Sequence, residues 1–246
     1  MYKMKKIAQI FLLSSIFLIT PSCDVVSNIV SDSGSSSGTS GLTNSEVISG
    51  LKQALDVGVG NAVSFTSVTD GFFKNQEIKL PFPESANAVK EKALEWGLDG
   101  QVDKIVLTLN RAAEDAAQSA GPIFMNAIKN MSIQDGFSIL KGGEGAATDF
   151  LRRSTTEELI QAFSPKVAVS IEKVKLTEYW NPVAVRYNQA MMFTGGKKVD
   201  TDLNRYVTEM AIEGLFNMVE KEENKIRKDP AARVTDLLQK VFGSVK

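Results

Sequence analysis

The chain has 246 residues, 43% of them hydrophobic and 23% charged, with 28 Lys and Arg against 29 Asp and Glu, one Cys and no His. This is an ordinary globular composition, and it allows one or two domains. Without histidine there is no Ser-His-Asp or Cys-His nucleophile system, no imidazole base and no His-ligated metal. A single cysteine excludes an internal disulfide, a thiolate zinc site and an iron–sulfur cluster, and no cofactor is expected.

The N-terminus carries an export address. Lys3, Lys5 and Lys6 form a positive head before the apolar run from Ile7 to Ile19. That run is shorter than the roughly 20 residues a membrane-spanning helix needs, which fits a secretory signal. The lone Cys23 follows Thr20-Pro21-Ser22, where a lipoprotein signal places its acylated cysteine. Residues 1–22 are therefore predicted to be a lipoprotein signal peptide and Cys23 the lipidation site, with ordinary cleavage after Ser22 as the alternative. Residues 23–42 follow as a tether, of which 31–41 hold six Ser and three Gly and cannot bury a core. The predicted location is the bacterial envelope, with the membrane as a partner through the lipid anchor. Removing three Lys with the signal leaves 25 basic against 29 acidic residues, a charge of −4, so no nucleic acid is expected.

Residues 43–246 read as a single helical domain of about eight to ten helices. Thr43 and Glu46 have capping-box spacing, and Ile48, Leu51, Leu55 and Ala62 follow on one face. Pro81 and Pro83 forbid a helix interior in 71–84, so this segment is expected to be extended. Helical pattern resumes near Glu84 and stops at Gly97, with Val89, Ala93 and Trp96 inward. A helix from Asp99 to about Ala120 ends in alanines that admit a close neighbour, and Gly121-Pro122 restarts the chain. Ser132 with Asp135 and Ser154 with Glu157 predict two further helix starts, and Pro165 is expected to kink or divide the second. Another helix is expected from Tyr179 to Met192, ended by Gly195-Gly196. Asp200 and Asp202 open the longest helix, about 202–228. Asp229-Pro230 is expected to cap a last one, with Val234, Leu237, Leu238, Val241 and Phe242 on its apolar face. The fold class is all-α.

Several segments match a known family. GLKQAL (50–55), DGFFKNQEIKLPFPE (70–84), LNRAAEDAA (109–117), the stretch 122–152, YVTEMAIEGLF (206–216) and IRKDPAARVTDLLQKVFG (226–243) resemble an uncharacterised bacterial envelope family, domain of unknown function 4197. The resemblance implies a secreted or lipid-anchored, mainly helical protein, and it implies no catalytic residues.

Asp200, Asp202 and Asn204 have the spacing of a calcium loop, but Arg205 and Ala211 stand where its Gly and bidentate acid belong, so helix capping is expected and no metal. Gly195-Gly196-Lys197-Lys198 fails as a phosphate loop, whereas Gly142-Gly143-Glu144-Gly145 before a helix could present amides to an anion. Glu209, Glu213 and Glu220 fall on one strip of the long helix and would serve a carboxylate-dependent hydrolase if they lined a cleft. Arg111 with Glu114 and Asp115, and Glu223 with Arg227, have ion-pair spacing; a solvated pair is the default, a buried network at a helix crossing the alternative. Phe72, Phe73, Tyr179, Trp180, Met191 and Met192 are core candidates that would form an adaptable apolar binding surface if exposed. The leading expectation is a non-enzymatic envelope module that binds a protein partner or an apolar ligand. A carboxylate-dependent envelope hydrolase and a purely structural envelope protein are the alternatives.

Overall fold

The computed structural model describes residues 43–244 apart from Trp96, 174–179, 181–183, Arg186, Ala190, Thr194, Lys197 and Thr201. The expected signal peptide, Cys23, the tether and Tyr179 lie outside the described residues. Thr43 caps the first helix, α1 (Asn44–Thr66), through a complete capping box with Glu46. A 3-10 turn at Glu84–Ala86 leads into α2 (Asn87–Glu95), followed by α3 (Asp99–Ala117) and α4 (Ala120–Asn130). Ser132 and Asp135 form a second capping box at the start of α5 (Ile133–Lys141). The long helices are α6 (Ala146–Lys173) and α7 (Leu203–Lys228), and α8 (Asp236–Ser244) closes the chain. Among the described residues there is no strand, and the protein is all-α.

The core is built around α7, which packs against α1, α3 and α6. Val207, Ala211, Leu215 and Phe216 of α7 are fully buried, and Phe216 meets Phe124 of α4 edge-on at 5.7 Å. The expected alanine surface of α3 is real. Ala112, Ala113, Ala116 and Ala117 have no exposed area, and the missing side-chain bulk lets α6 and α7 approach this helix closely. Ile48, Leu51, Leu55 and Ala62 of α1 all face inward. α8 packs back on α1 with Val241 and Phe242 buried.

Four expected boundaries move. Ser154 does not start a helix, because α6 begins at Ala146 and the Ser154 hydroxyl donates to Phe150 O at 2.8 Å inside it. Pro165 does not divide α6, which runs through it to Lys173. The break after α3 falls at Gln118–Ser119 rather than Gly121-Pro122, so Pro122 sits in the first turn of α4. At the C-terminus, Asp229 caps only a 3-10 turn at Pro230–Ala232, and Val234 is exposed before the last helix begins.

Candidate functional site

The segment between α1 and α2 is fastened by side chains of two helices. Residues 71–78, expected to be extended with the rest of the segment, instead form successive hydrogen-bonded turns, and the stretch 79–81 beside the prolines is free of them. The segment runs through the core, with Phe72 and Leu80 fully buried and Ile78 and Phe82 nearly so. A loop that enters a core must find partners for its peptide groups. Glu114 of α3 supplies one set, accepting the consecutive N–H groups of Phe72 and Phe73 on Oε1 at 3.1 Å each. Asn110, one turn earlier, pairs with both peptide groups of Leu80: Leu80 N–H donates to Oδ1 at 2.9 Å, and Nδ2 donates to Leu80 O at 2.8 Å. Tyr206 of α7 donates its hydroxyl to Pro81 O at 3.0 Å. Burial, with the Glu84 charge second, pushes the Tyr206 phenol up to about 12.

The carboxylate of Glu114 is itself balanced. Arg111 donates to its Oε2 at 2.6 Å and to Asp70 Oδ1 at 2.6 Å, and Lys74 pairs with Asp70 at 2.8 Å. Lys74 and then Arg111 hold the Asp70 carboxyl below its ordinary range, and Asp70 with Glu114 holds the Arg111 guanidinium above its own. Phe73 lies under two cations, with Lys79 Nζ 4.4 Å and the Arg111 guanidinium carbon 5.6 Å from its ring centre.

A second buried carboxylate sits on α7. Glu223 accepts from Ala147 N–H at 3.0 Å, Thr148 N–H at 2.9 Å and the Thr148 hydroxyl at 2.8 Å. Arg227, one turn on, donates to Glu223 Oε1 through Nε at 3.0 Å and through a terminal nitrogen at 2.8 Å, and that nitrogen also reaches Ile139 O at 2.9 Å. Gly145 accepts the first bond of α6 from Asp149 N–H, which makes it the capping residue, and it has no side chain to cap with. Glu223 fills that role from across the molecule. The anion that this glycine-rich helix start could hold is therefore the protein's own carboxylate, and the stretch is not merely the flexible helix connection otherwise expected of it. Both Arg–Glu pairs adopt the buried alternative to a solvated pair: Glu114 and Glu223 are buried.

The acidic strip faces outward. Glu209, Glu213 and Glu220 are exposed; Glu213 receives two bonds from Arg152 at 2.5 and 3.2 Å, and Glu209 lies 3.5 Å from Arg205. None of the three lines either groove described below. Asp202 caps α7 by accepting Arg205 N–H at 2.9 Å, whereas Asp200 accepts Asp202 N–H at 2.9 Å and pairs with the Arg205 side chain, so only Asp202 caps the helix. No group of three or more metal-ligating side chains occurs among the described residues.

The aromatic and Met candidates separate. Phe72 and Trp180 are core residues, Trp180 meeting Phe82 edge-on at 5.8 Å, and Phe73 is half-buried. Met191 is half-buried, whereas Met192 and its neighbour Phe193 are exposed. Sequence reasoning missed one open surface groove. An open groove of about 940 Å3 lies between the C-terminal part of α1, the loop after it and α7. Phe65 and Val68, both exposed, stand on one wall. Lys221 pairs with Glu77 at 2.7 Å and Asn61 donates to Glu222 at 2.8 Å along the others. A smaller groove of about 460 Å3 runs between α1 and α4 beside Lys52 and Met125. Phe65 lies on the flank of the α1 apolar stripe, and it falls in a Ser- and Thr-rich stretch that reads as a helix end.

Comparison with known proteins places the chain in a family and gives no activity. No curated protein and no solved structure matches it. A family model described as protein of unknown function DUF4197 matches residues 41–243, nearly the whole helical body, and the chain belongs to that family.

Proposed function

We propose that this chain is a lipid-anchored envelope protein whose helical body binds a protein partner in the groove between α1 and α7. The groove carries the reading. It is open, its apolar wall is Phe65 and Val68, and its rim mixes Lys74, Lys221 and Lys225 with Glu77 and Glu222. A wall of exposed apolar side chains rimmed by paired charges suits a polypeptide better than an enclosed site for a small apolar molecule. Cys23 and the Ser/Gly-rich tether of the sequence support the anchored state.

The test is crosslinking mass spectrometry on the full-length protein in its native envelope, with fatty-acid labelling of Cys23 in parallel. Crosslinks from Lys74, Lys221 and Lys225 to one protein, lost in a Phe65→Asp, Val68→Asp variant that still melts normally, are the expected result. Crosslinks confined to other faces, or unaffected by the two substitutions, would contradict the groove reading. Absence of fatty-acid label on Cys23 of the wild-type protein would contradict the anchor.

A further inference from the structure

The described residues between Asn188 and Val199 form a loop whose base is closed by one side chain. Asn188 Nδ2 donates to Val199 O at 2.9 Å, and Val199 N–H donates to Asn188 Oδ1 at 2.7 Å. Val199 is buried, as are Trp180 and Ala184 upstream, so the base belongs to the core. Within the loop, the helical residues 191–193 end in a left-handed glycine: Gly195 has φ +70°, and Gly196 N–H donates back to Met191 O at 3.1 Å. That six-to-one bond is the helix stop in which glycine meets no steric penalty. It leaves Met192 and Phe193 in the last turn at the tip, 67% and 92% exposed, and Phe193 is the most exposed large apolar side chain among the described residues.

We propose that this tip is a membrane-contact element, which dips Phe193 and Met192 into the headgroup–acyl boundary of an anionic lipid surface. Two adjacent side chains offer far too little area for a stable protein interface, which takes about 800 Å2 per partner. An interfacial membrane contact needs only an apolar point with cations beside it. The charge close to the tip in the sequence suits that occupant: Lys198 is exposed, and the Asp200 carboxylate next along is already paired with Arg205. The groove differs in this respect, since its rim holds both signs. The proposal takes its membrane from the anchored reading above, and its contact is separate from Cys23.

The experiment places a photoreactive phenylalanine at position 193 of the full-length protein, and in a second sample at Ile133, an exposed apolar position on α5. Both are irradiated in cells, and then as purified full-length chain with vesicles of phosphatidylglycerol and phosphatidylcholine. Burying a Phe side chain shifts partitioning by roughly tenfold or more, so lipid adducts are expected to be at least about that much more abundant from 193 than from 133. Adducts to a second copy or to another protein, equal lipid adducts from both positions, or none from 193 would overturn the proposal. Fatty-acid labelling of the same samples reports on Cys23 by itself, and the vesicle arm does not depend on it.

Discussion

Glu114 and Glu223 meet the same need in two different places. Each is a buried carboxylate that accepts two consecutive backbone N–H groups and is neutralised by an arginine on its own helix, three residues before in one case and four after in the other. Glu114 fastens an irregular loop, and Glu223 caps a helix start that lacks a capping side chain. The balance differs. The Arg111 side chain is 37% exposed and shared with Asp70, whereas Arg227 is 12% exposed and almost wholly committed to Glu223 and Ile139. A buried charge is supported by the completeness of its partners, so the Glu223 node is the tighter one and the more costly to break.

Glu223→Ala should therefore have the largest effect. It strands Arg227 and the first turn of α6, and a loss of about 3–5 kcal/mol is expected in denaturant unfolding. Glu114→Ala removes two loop bonds but leaves Arg111 its Asp70 partner and access to water, and about 2–3 kcal/mol is expected. An equal loss at the two sites would remove the distinction between them. Gly214→Ala probes what Glu114 holds in place. An added methyl there would stand 2.7 Å from the Phe72 ring, and overpacking of about 1–3 kcal/mol should follow, with the loop displaced first.

The smallest effect lies in the alkaline limb. The Tyr206 phenol sits at about 12 in the folded protein against 10.0 in its absence, and folding favours its neutral form. That contribution is complete below pH 10 and is lost as pH rises through about 12. Tyr206→Phe should flatten this part of the stability profile at a cost of about 1 kcal/mol near neutrality, from the bond to Pro81. An unchanged alkaline slope in the variant would contradict a raised Tyr206 phenol as its source.

How far the fold could be foreseen depended on distance along the chain. Thr43 with Glu46 and Ser132 with Asp135 are reciprocal caps that close within four residues, and both form as their spacing implies. Ser154 with Glu157 has the same spacing and forms no cap, because α6 already begins at Ala146, where Glu223 from 76 residues away satisfies its amides. No local pattern reveals a cap borrowed across the molecule. The same holds for the loop. Pro81 and Pro83 announced a break, but its course through the core depends on Asn110 and Glu114, whose positions give only helical spacing. Among the site candidates, the outward course of Glu209, Glu213 and Glu220 follows the ordinary rule for acids on a helix. The groove was invisible because it is made by three segments distant in sequence.

The most direct measurement is amide hydrogen exchange on Glu114→Gln and Glu223→Gln, each retaining shape while losing charge. Glu114→Gln is expected to raise exchange at Phe72, Phe73 and Leu80 with little change at α6. Glu223→Gln is expected to raise it at Ala147 and Thr148 and through the first turn of α6, and to leave the loop protected. Uniform loosening of the whole body in both variants, or no change in either, would contradict the assignment of these carboxylates as two separate internal fasteners.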